Sequence, residues 1–172
     1  MCDDTGTHAS DSAVQRSIET AFLGRVDNQN ADWTRVAWID VSKKNQLPDV
    51  WRKVKPDAVW ETKSGDLIVA ECYTRTEKLK PGNHAKLAKD CLKLIAIQRA
   101  LTGKTTVRCL LILPDELAVQ LQGSGWLATV IRQTVEIVCM ALPTAERNDL
   151  NVAVLNQAEG QSRTRRNRNV SE

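Results

Sequence analysis

The sequence lacks the closely spaced cysteine pairs and the long apolar runs that mark several common classes of protein. Its five cysteines are widely separated, with no CxxC pair: Cys2, Cys72, Cys91, Cys109 and Cys139. Four of them stand in apolar runs, which favours reduced core thiols in a cytoplasmic protein over disulfides or zinc ligands. The longest apolar stretch, CLLIL at 109–113, is too short to span a bilayer. We see no signal peptide and no internal repeat, and we expect no membrane partner.

Charge is nearly balanced, with 24 lysines and arginines against 21 aspartates and glutamates. The net charge of +3 permits a nucleic-acid partner without indicating one. The 172 residues are enough for one domain with a hydrophobic core. We expect a flexible N-terminus at 1–10, the domain at 11–155 and a disordered basic tail at 156–172. The tail arginines suit either a nucleic-acid arm or a solubilising end: Arg163, Arg165, Arg166 and Arg168.

The first third of the chain predicts one helix and one strand. Ser12 and Gln15 resemble a capping box, and apolar residues follow at helical spacing, so a helix is predicted over 11–23, ended by Gly24. The segment WTRVAWIDVS at 33–42 has apolar residues on both faces of an extended chain. This pattern predicts a strand in the centre of a sheet.

The remaining elements alternate between strands and helices. DAVWET and DLIVAECY predict two strands, and Asn83 is expected to cap a long helix that reaches Leu101. The buried stripe predicted for this helix is Leu87, Cys91, Leu94, Ile95 and Leu101. A buried strand at 107–113, a short helix from Asp115, a helix at about 124–133 and a last strand, VEIVCMAL, follow. The fold class predicted is α/β: a mixed central sheet of about five strands with an αβββαβ core and helices on both faces.

The loop between DAVWET and DLIVAECY decides which side chains share a face of the sheet. A two-residue turn at Ser64-Gly65 would place Asp57 and Glu71 on opposite faces, whereas a three-residue loop at 63–65 places them directly opposite each other. The longer loop fits better, because its third position favours glycine in the left-handed conformation and Gly65 stands there.

Two opposed carboxylates need either a cation or a proton between them. Their side chains would lie within about 5 Å, where like charges repel. Oxygen ligands on a rigid sheet suit Mg²⁺ or Mn²⁺, and magnesium takes few protein ligands and keeps several waters. A solvated, exposed hairpin is the alternative, and the apolar residues that precede Glu71 weigh against it.

Pro56-Asp57 followed by Glu71 on successive hairpin strands resembles the PD-(D/E)XK nuclease superfamily, which has the restriction-endonuclease-like fold. The resemblance covers residues 11–140. It implies that Asp57 and Glu71 bind a metal, that Glu19 in the first helix can add a ligand, and that the metal activates water for attack on a phosphodiester. The family keeps a lysine two residues after the glutamate position, but Tyr73 stands there in this sequence. Either the site is weakened, or a cation reaches it from elsewhere in the chain. The candidates are Lys78, Lys80, Lys86 and Lys89, and we expect Lys86 to be the substitute.

Basic residues cluster after Glu71 and predict a surface for phosphates: Arg75, Lys78, Lys80, His84, Lys86, Lys89 and Lys93. The last three share a helix face at spacings i, i+3 and i+7. Together these features predict a magnesium-dependent nuclease acting on nucleic acid, with DNA the expected substrate, and they leave a homodimer open. The rival interpretation is a non-catalytic module of the same fold that binds nucleic acid or a protein, and Tyr73 favours it.

Overall fold

Five strands form one open sheet in which the spatial order of the strands follows the chain. The computed structural model describes residues 6–75 and 81–152. The strands are β1 (Trp33–Arg35), β2 (Ala58–Thr62), β3 (Leu67–Cys72), β4 (Val107–Pro114) and β5 (Glu136–Met140). The first three pair antiparallel, and β3, β4 and β5 run parallel. The sheet is therefore mixed, as the sequence predicts.

Helices connect the strands and cover both faces of the sheet. They are α1 (Gly6–Gln29), α2 (Trp38–Lys44), α3 (Asp49–Arg52), α4 (Pro81–Leu101), α5 (Asp115–Gln120) and α6 (Trp126–Thr134), and 144–152 is also helical. Within the described parts of the chain, none of these helices combines the length and the apolar character needed to cross a membrane. The predicted α/β class with a five-stranded mixed sheet is confirmed.

Side-chain alternation along β3 divides the core between the two faces of the sheet. Val69 packs with α4 side chains such as Leu87 and Leu94, together with α2 and α6. Ile68 and its neighbours on the other face pack against Phe22 of α1 and against 142–150. Because side chains alternate along a strand, Glu71 belongs to the α4 face. This places the sequence motif under α4.

The predicted strand at 33–42 is wrong beyond its first residues. Only Trp33–Arg35 is extended, and this strand lies at an edge of the sheet rather than in its centre. Trp38–Lys44 forms α2. Trp38 and Val41 are buried in the core, while Ile39 is exposed. Apolar residues at spacing i and i+3 fit one helix face, and this spacing also reads as apolar on both faces of a strand.

Several predicted boundaries and burial assignments also need correction. Helix α1 begins before Ser12 and runs past Gly24, so neither residue delimits it, and α4 begins at Pro81, so Asn83 lies inside the helix. In α4, Ile97 is fully buried although it was not predicted to be, whereas the predicted Ile95 is only partly buried. Cys72, Cys91 and Cys109 are buried free thiols as expected, but Cys139 is exposed. Cys2, the end segments 1–5 and 153–172, and the tail arginines lie outside the described residues.

Candidate metal and phosphate site

The β2–β3 hairpin has the three-residue loop that places Asp57 opposite Glu71. Gly65 has φ +85°, and the N–H of Thr62 donates to the carbonyl of Asp66 at 2.9 Å. The register pairs Ala58 with Ala70, so the next opposed pair is Asp57 with Glu71. The hairpin prediction is therefore confirmed, and it depends on the left-handed glycine.

Asp57 is an exposed residue whose carboxylate also has a role in the backbone structure. Its Oδ2 accepts a hydrogen bond from the N–H of Cys72 at 2.8 Å, and its own N–H donates to the carbonyl of Ala70 at 3.1 Å. The carboxylate thus ties the end of β3 to the residue that precedes β2. One hydrogen bond at Oδ2 leaves the carboxylate with further acceptor capacity.

Glu71 is a buried carboxylate, with 2% of its surface exposed. Its Oε2 lies 2.5 Å from the Nζ of Lys93, and its Oε1 has no hydrogen-bond partner among the residues that the structure describes. Burial, followed by the charge of Asp57, raises the pKa of Glu71 to about 8, and the hydrogen bond from Lys93 acts against this shift. A buried oxygen without a partner is costly, so a donor or cation that contacts Oε1 would offset this cost.

Lys93 is the cation that the sequence prediction assigned to the wrong surface. It was expected on the exposed phosphate stripe with Lys86 and Lys89, but its ammonium is directed to Glu71 and also donates to the carbonyl of Lys55 at 3.1 Å. Lys93 sits two turns after Lys86, close to Leu94 of the buried stripe, and this position brings it to the sheet. The spacing i, i+3 and i+7 groups the three lysines on one side of the helix, but it does not determine which of them reaches the sheet.

Lys86 lies over Tyr73, the residue at the position where the nuclease superfamily keeps its lysine. Its Nζ stands 4.9 Å from the centre of the Tyr73 ring, a cation–π contact, and Tyr73 is buried. Burial raises the pKa of both Glu19 and Asp90, and the charge of the exposed Lys86 acts against this shift. The ammonium of Lys86 therefore lies over the ring of Tyr73, and its role toward a substrate stays a prediction.

Two further carboxylates approach Asp57 from the helices. Glu19 is half-buried on α1, and burial, followed by the charge of Asp57, raises its pKa. Asp90 is 7% exposed on α4, and burial raises its pKa while Lys86 and Lys93 lower it. Asp90 was not predicted to lie near the site, although its position directly before Cys91 of the predicted buried stripe indicated a partly buried carboxylate.

The carboxylates around Asp57 offer oxygen ligands of the kind that a hard metal ion binds. Within 6–75 and 81–152, no group of three or more histidines, cysteines, aspartates and glutamates lies close enough together to hold one. Two opposed carboxylates nevertheless fit magnesium, which binds through one or two carboxylates and keeps several waters. The partnerless Oε1 of Glu71 offers a buried oxygen to such an ion. Asp57 and Glu71 would be the ligands, and Glu19 lies near enough to Asp57 for the charge of Asp57 to raise the pKa of Glu19, after the larger effect of burial.

Some of the basic residues assigned to the predicted phosphate surface are exposed. His84, Lys86 and Lys89 are exposed on α4, and Arg75 is partly exposed after β3. Lys78 and Lys80 lie outside the described residues. Of these residues, Lys86 and Lys89 lie close enough to Asp90 for their charges to act against the rise in its pKa that burial causes.

Comparison with known proteins gives no independent assignment. No family model, no curated protein and no solved structure matches this chain.

Proposed function

We propose that the chain is a metal-dependent nuclease of the restriction-endonuclease-like fold that hydrolyses phosphodiester bonds, with DNA the expected substrate. The observation that carries the proposal is the opposition of Asp57 and Glu71 at the end of the hairpin, with Oε1 of Glu71 buried and without a partner among the described residues. Opposed carboxylates repel, so the arrangement suits a cation.

The carboxylates would hold the ion, with Asp57 and Glu71 as the main ligands and Glu19 as a supporting one. When bound, magnesium or manganese supplies an activated water and stabilises negative charge on the phosphoryl oxygens. The protein supplies two rigid strands, since the hairpin fixes both backbone positions. Metal-binding geometry set by a sheet is more precise than geometry set by loops.

The lysines of α4 would replace the missing lysine of the motif. Lys86 is exposed next to Tyr73, where it can contact a phosphate, and Lys93 is held at Glu71. Lys86 therefore suits an electrostatic role toward the substrate, whereas Lys93 positions Glu71.

A non-catalytic binding module of the same fold is the second candidate, and one observation favours it. The ammonium of Lys93 already neutralises Glu71 and the N–H of Cys72 already stabilises Asp57, so the opposed carboxylates do not need a metal to persist. In that case the basic surface of α4 would bind nucleic acid without cleavage. Cytoplasmic location is part of both proposals, because free thiols at four positions suit a reducing compartment.

A magnesium titration separates the two candidates. Purified protein is incubated with supercoiled plasmid and with labelled single-stranded DNA at increasing MgCl₂, and Asp57→Asn serves as the matched variant that keeps an acceptor for Cys72. The nuclease proposal expects cleavage that requires the metal and is lost in Asp57→Asn. Bound but intact DNA at every magnesium and manganese concentration would contradict it and favour the binding module.

A further inference from the structure

Strand β5 forms one edge of the sheet, and its outer side has no strand partner among the described residues. β4 is the strand that pairs with it, and four of its five residues are exposed or partly exposed. Its single charged side chain, Glu136, pairs with the guanidinium of Arg108 at 2.8 Å, and the strand contains no proline. An open edge of this kind offers backbone N–H and C=O groups to another strand.

The opposite edge of the sheet is protected in ways that β5 is not. Strand β1 has three residues and ends with Arg35, which is exposed and whose guanidinium lies 3.7 Å from the carboxylate of Asp27. A very short strand that carries a charge resists pairing with another chain. The two edges therefore differ, and β5 is the one suited to a partner strand.

An open apolar groove lies beside β5 on the α4 face of the sheet. The guanidinium of Arg132 donates to the carbonyl of Leu121 and, at 3.0 Å, to that of Gly123, so α6 is tied to the end of α5 and the wall of the groove is fixed. The groove has a volume of about 360 Å³, and its apolar lining residues are Ala118, Leu121, Val135, Ile137 and Cys139.

Two side chains of β5 itself belong to this lining. Ile137 packs with the core on the α4 face and Val138 with the core on the α1 face, so Cys139 returns to the α4 face. Cys139 is the exposed one of the four described thiols. On α5, Val119 follows Ala118 of the lining and is 63% exposed. A strand that pairs with β5 therefore meets apolar side chains as well as an open backbone edge.

The edge and the groove are complementary to a second copy of themselves. In antiparallel pairing about a two-fold axis at Val138, all five residues of each β5 are paired, and Ile137 lies opposite Cys139 of the other copy. Opposed residues share a face, so each copy supplies two apolar side chains beside the groove of the other. The result is one continuous sheet with five strands from each copy.

Charge and closure favour a second copy over other occupants. The two Glu136 side chains would be four residues apart along the paired strands, about 13 Å, where their repulsion is screened. Segment 153–172 carries four arginines against two glutamates, so it would bring uncompensated charge to an apolar groove. Two-fold pairing also closes the assembly, because it uses both β5 edges and leaves neither for a further chain.

We propose that two copies of this chain associate through antiparallel pairing of their β5 strands, with Val119, Ile137 and Cys139 in the interface. This inference goes beyond the proposed nuclease function and does not depend on it. Neither of its tests uses cleavage or nucleic acid.

The first test uses Cys139 as a reporter thiol. Protein with Cys2→Ser is treated with bismaleimidoethane, which joins two thiols that lie close together. Across the proposed axis the two Cys139 residues are diagonal neighbours, with about 7–8 Å between them. A covalent dimer is expected, and Cys139→Ser in the same background should not form it.

The second test measures association by sedimentation velocity over a hundredfold range of protein concentration. Cys139→Lys places two like charges near the axis on an exposed position, so it should leave the Tm nearly unchanged and weaken association by about tenfold or more. Leu92→Lys is the matched control, since Leu92 is 65% exposed on α4, which packs over β3 and β4. This control should associate like wild type.

Wild-type protein that stays monomeric at every concentration would overturn the proposal. A dimer that Leu92→Lys disrupts and Cys139→Lys does not would also overturn it, as would a dimer in which Cys139 cannot be cross-linked. Maleimide labelling then separates the other occupants of the groove. A monomer whose Cys139 resists labelling would assign the groove to another segment of the same chain, and a monomer that is readily labelled would leave β5 open to a different protein.

Discussion

The ammonium of Lys93 lies 2.5 Å from Oε2 of Glu71, and it is the nearest cation that the structure gives to the buried carboxylate of the motif. The same ammonium donates to the carbonyl of Lys55, so α4, β3 and the segment before β2 meet at one atom. Glu71 is 2% exposed, and a buried ion pair of this kind is strongly sensitive to the loss of one partner. A substitution at Lys93 therefore changes the charge around Glu71 directly.

Replacement of Lys93 by methionine is expected to destabilise the fold and to increase its response to a divalent cation. Loss of the ammonium leaves Glu71 buried without its partner, at a cost of about 2 kcal/mol, which corresponds to a fall in Tm of about 4–8 °C. An ion that binds the folded state should then restore more stability than it gives wild type. Thermal unfolding in EDTA and in MnCl₂ measures both effects.

Lys93→Arg is the control, since it keeps the positive charge near Glu71. Its response to manganese should resemble that of wild type. If manganese raises the Tm of Lys93→Met by no more than that of wild type, Lys93 and the metal do not share Glu71.

Asp57 has a proposed role as a metal ligand, and its carboxylate also accepts a hydrogen bond from the N–H of Cys72. Substitution by asparagine or by alanine separates these two roles. Asp57→Asn keeps an oxygen that can accept from the N–H of Cys72, so stability should remain near wild type while metal-dependent cleavage is lost. Asp57→Ala removes the acceptor as well, and it should lose cleavage and about 1 kcal/mol of stability. Plasmid cleavage and urea unfolding are the measurements. Wild-type cleavage by Asp57→Asn would exclude Asp57 as a metal ligand.

The hairpin and its opposed carboxylates could be predicted because local rules determine them. The left-handed glycine at Gly65 fixes the loop length, and loop length fixes which residues are opposite, so Asp57 and Glu71 follow from the sequence. The parallel strand at Val107–Pro114 was also recognisable from its continuous apolar run. These features depend on residues near each other in the chain.

The ion pair could not be predicted, because it depends on how α4 rotates over the sheet. Lys86, Lys89 and Lys93 have the same local pattern, yet only Lys93 among the three contacts Glu71 in the structure. The early end of β1 was equally difficult to predict, since the apolar residues at 36, 38, 39 and 41 fit either a buried strand or a helix. Packing of Trp38 and Val41 against the core decides for the helix.

The raised pKa of Glu71 predicts a pH-dependent stability. An unfolded glutamate has an ordinary pKa of 4.5, and the folded value is about 8, so the folded state binds more protons between these values. Stability therefore falls as pH rises from about 4.5 to about 8, with the contribution of Glu71 complete below this window and lost above it. Glu71→Gln cannot titrate and should lack this part of the decline, a difference on the order of 1–3 kcal/mol.

Urea unfolding in EDTA at pH 5, 7 and 9 measures the decline. Glu136→Gln on the exposed side of β5 is the control, since it removes one surface carboxylate while Glu71 remains. Parallel pH profiles for wild type and Glu71→Gln would show that Glu71 ionises at the same pH in the folded and unfolded states.

The last prediction concerns Lys86, which stands over the tyrosine that replaces the lysine of the motif. If Lys86 supplies charge to the substrate phosphate, Lys86→Ala should lower single-turnover cleavage at saturating magnesium by about 100-fold, as expected for one electrostatic catalytic group. Magnesium affinity should change little, because an ammonium is not a ligand. Tyr73→Phe keeps the ring under the ammonium, 4.9 Å from its centre, and should cleave at nearly the wild-type rate. A loss confined to Tyr73→Phe would instead assign the role to the phenol, and full activity in both variants would leave Lys93 as the cation to test.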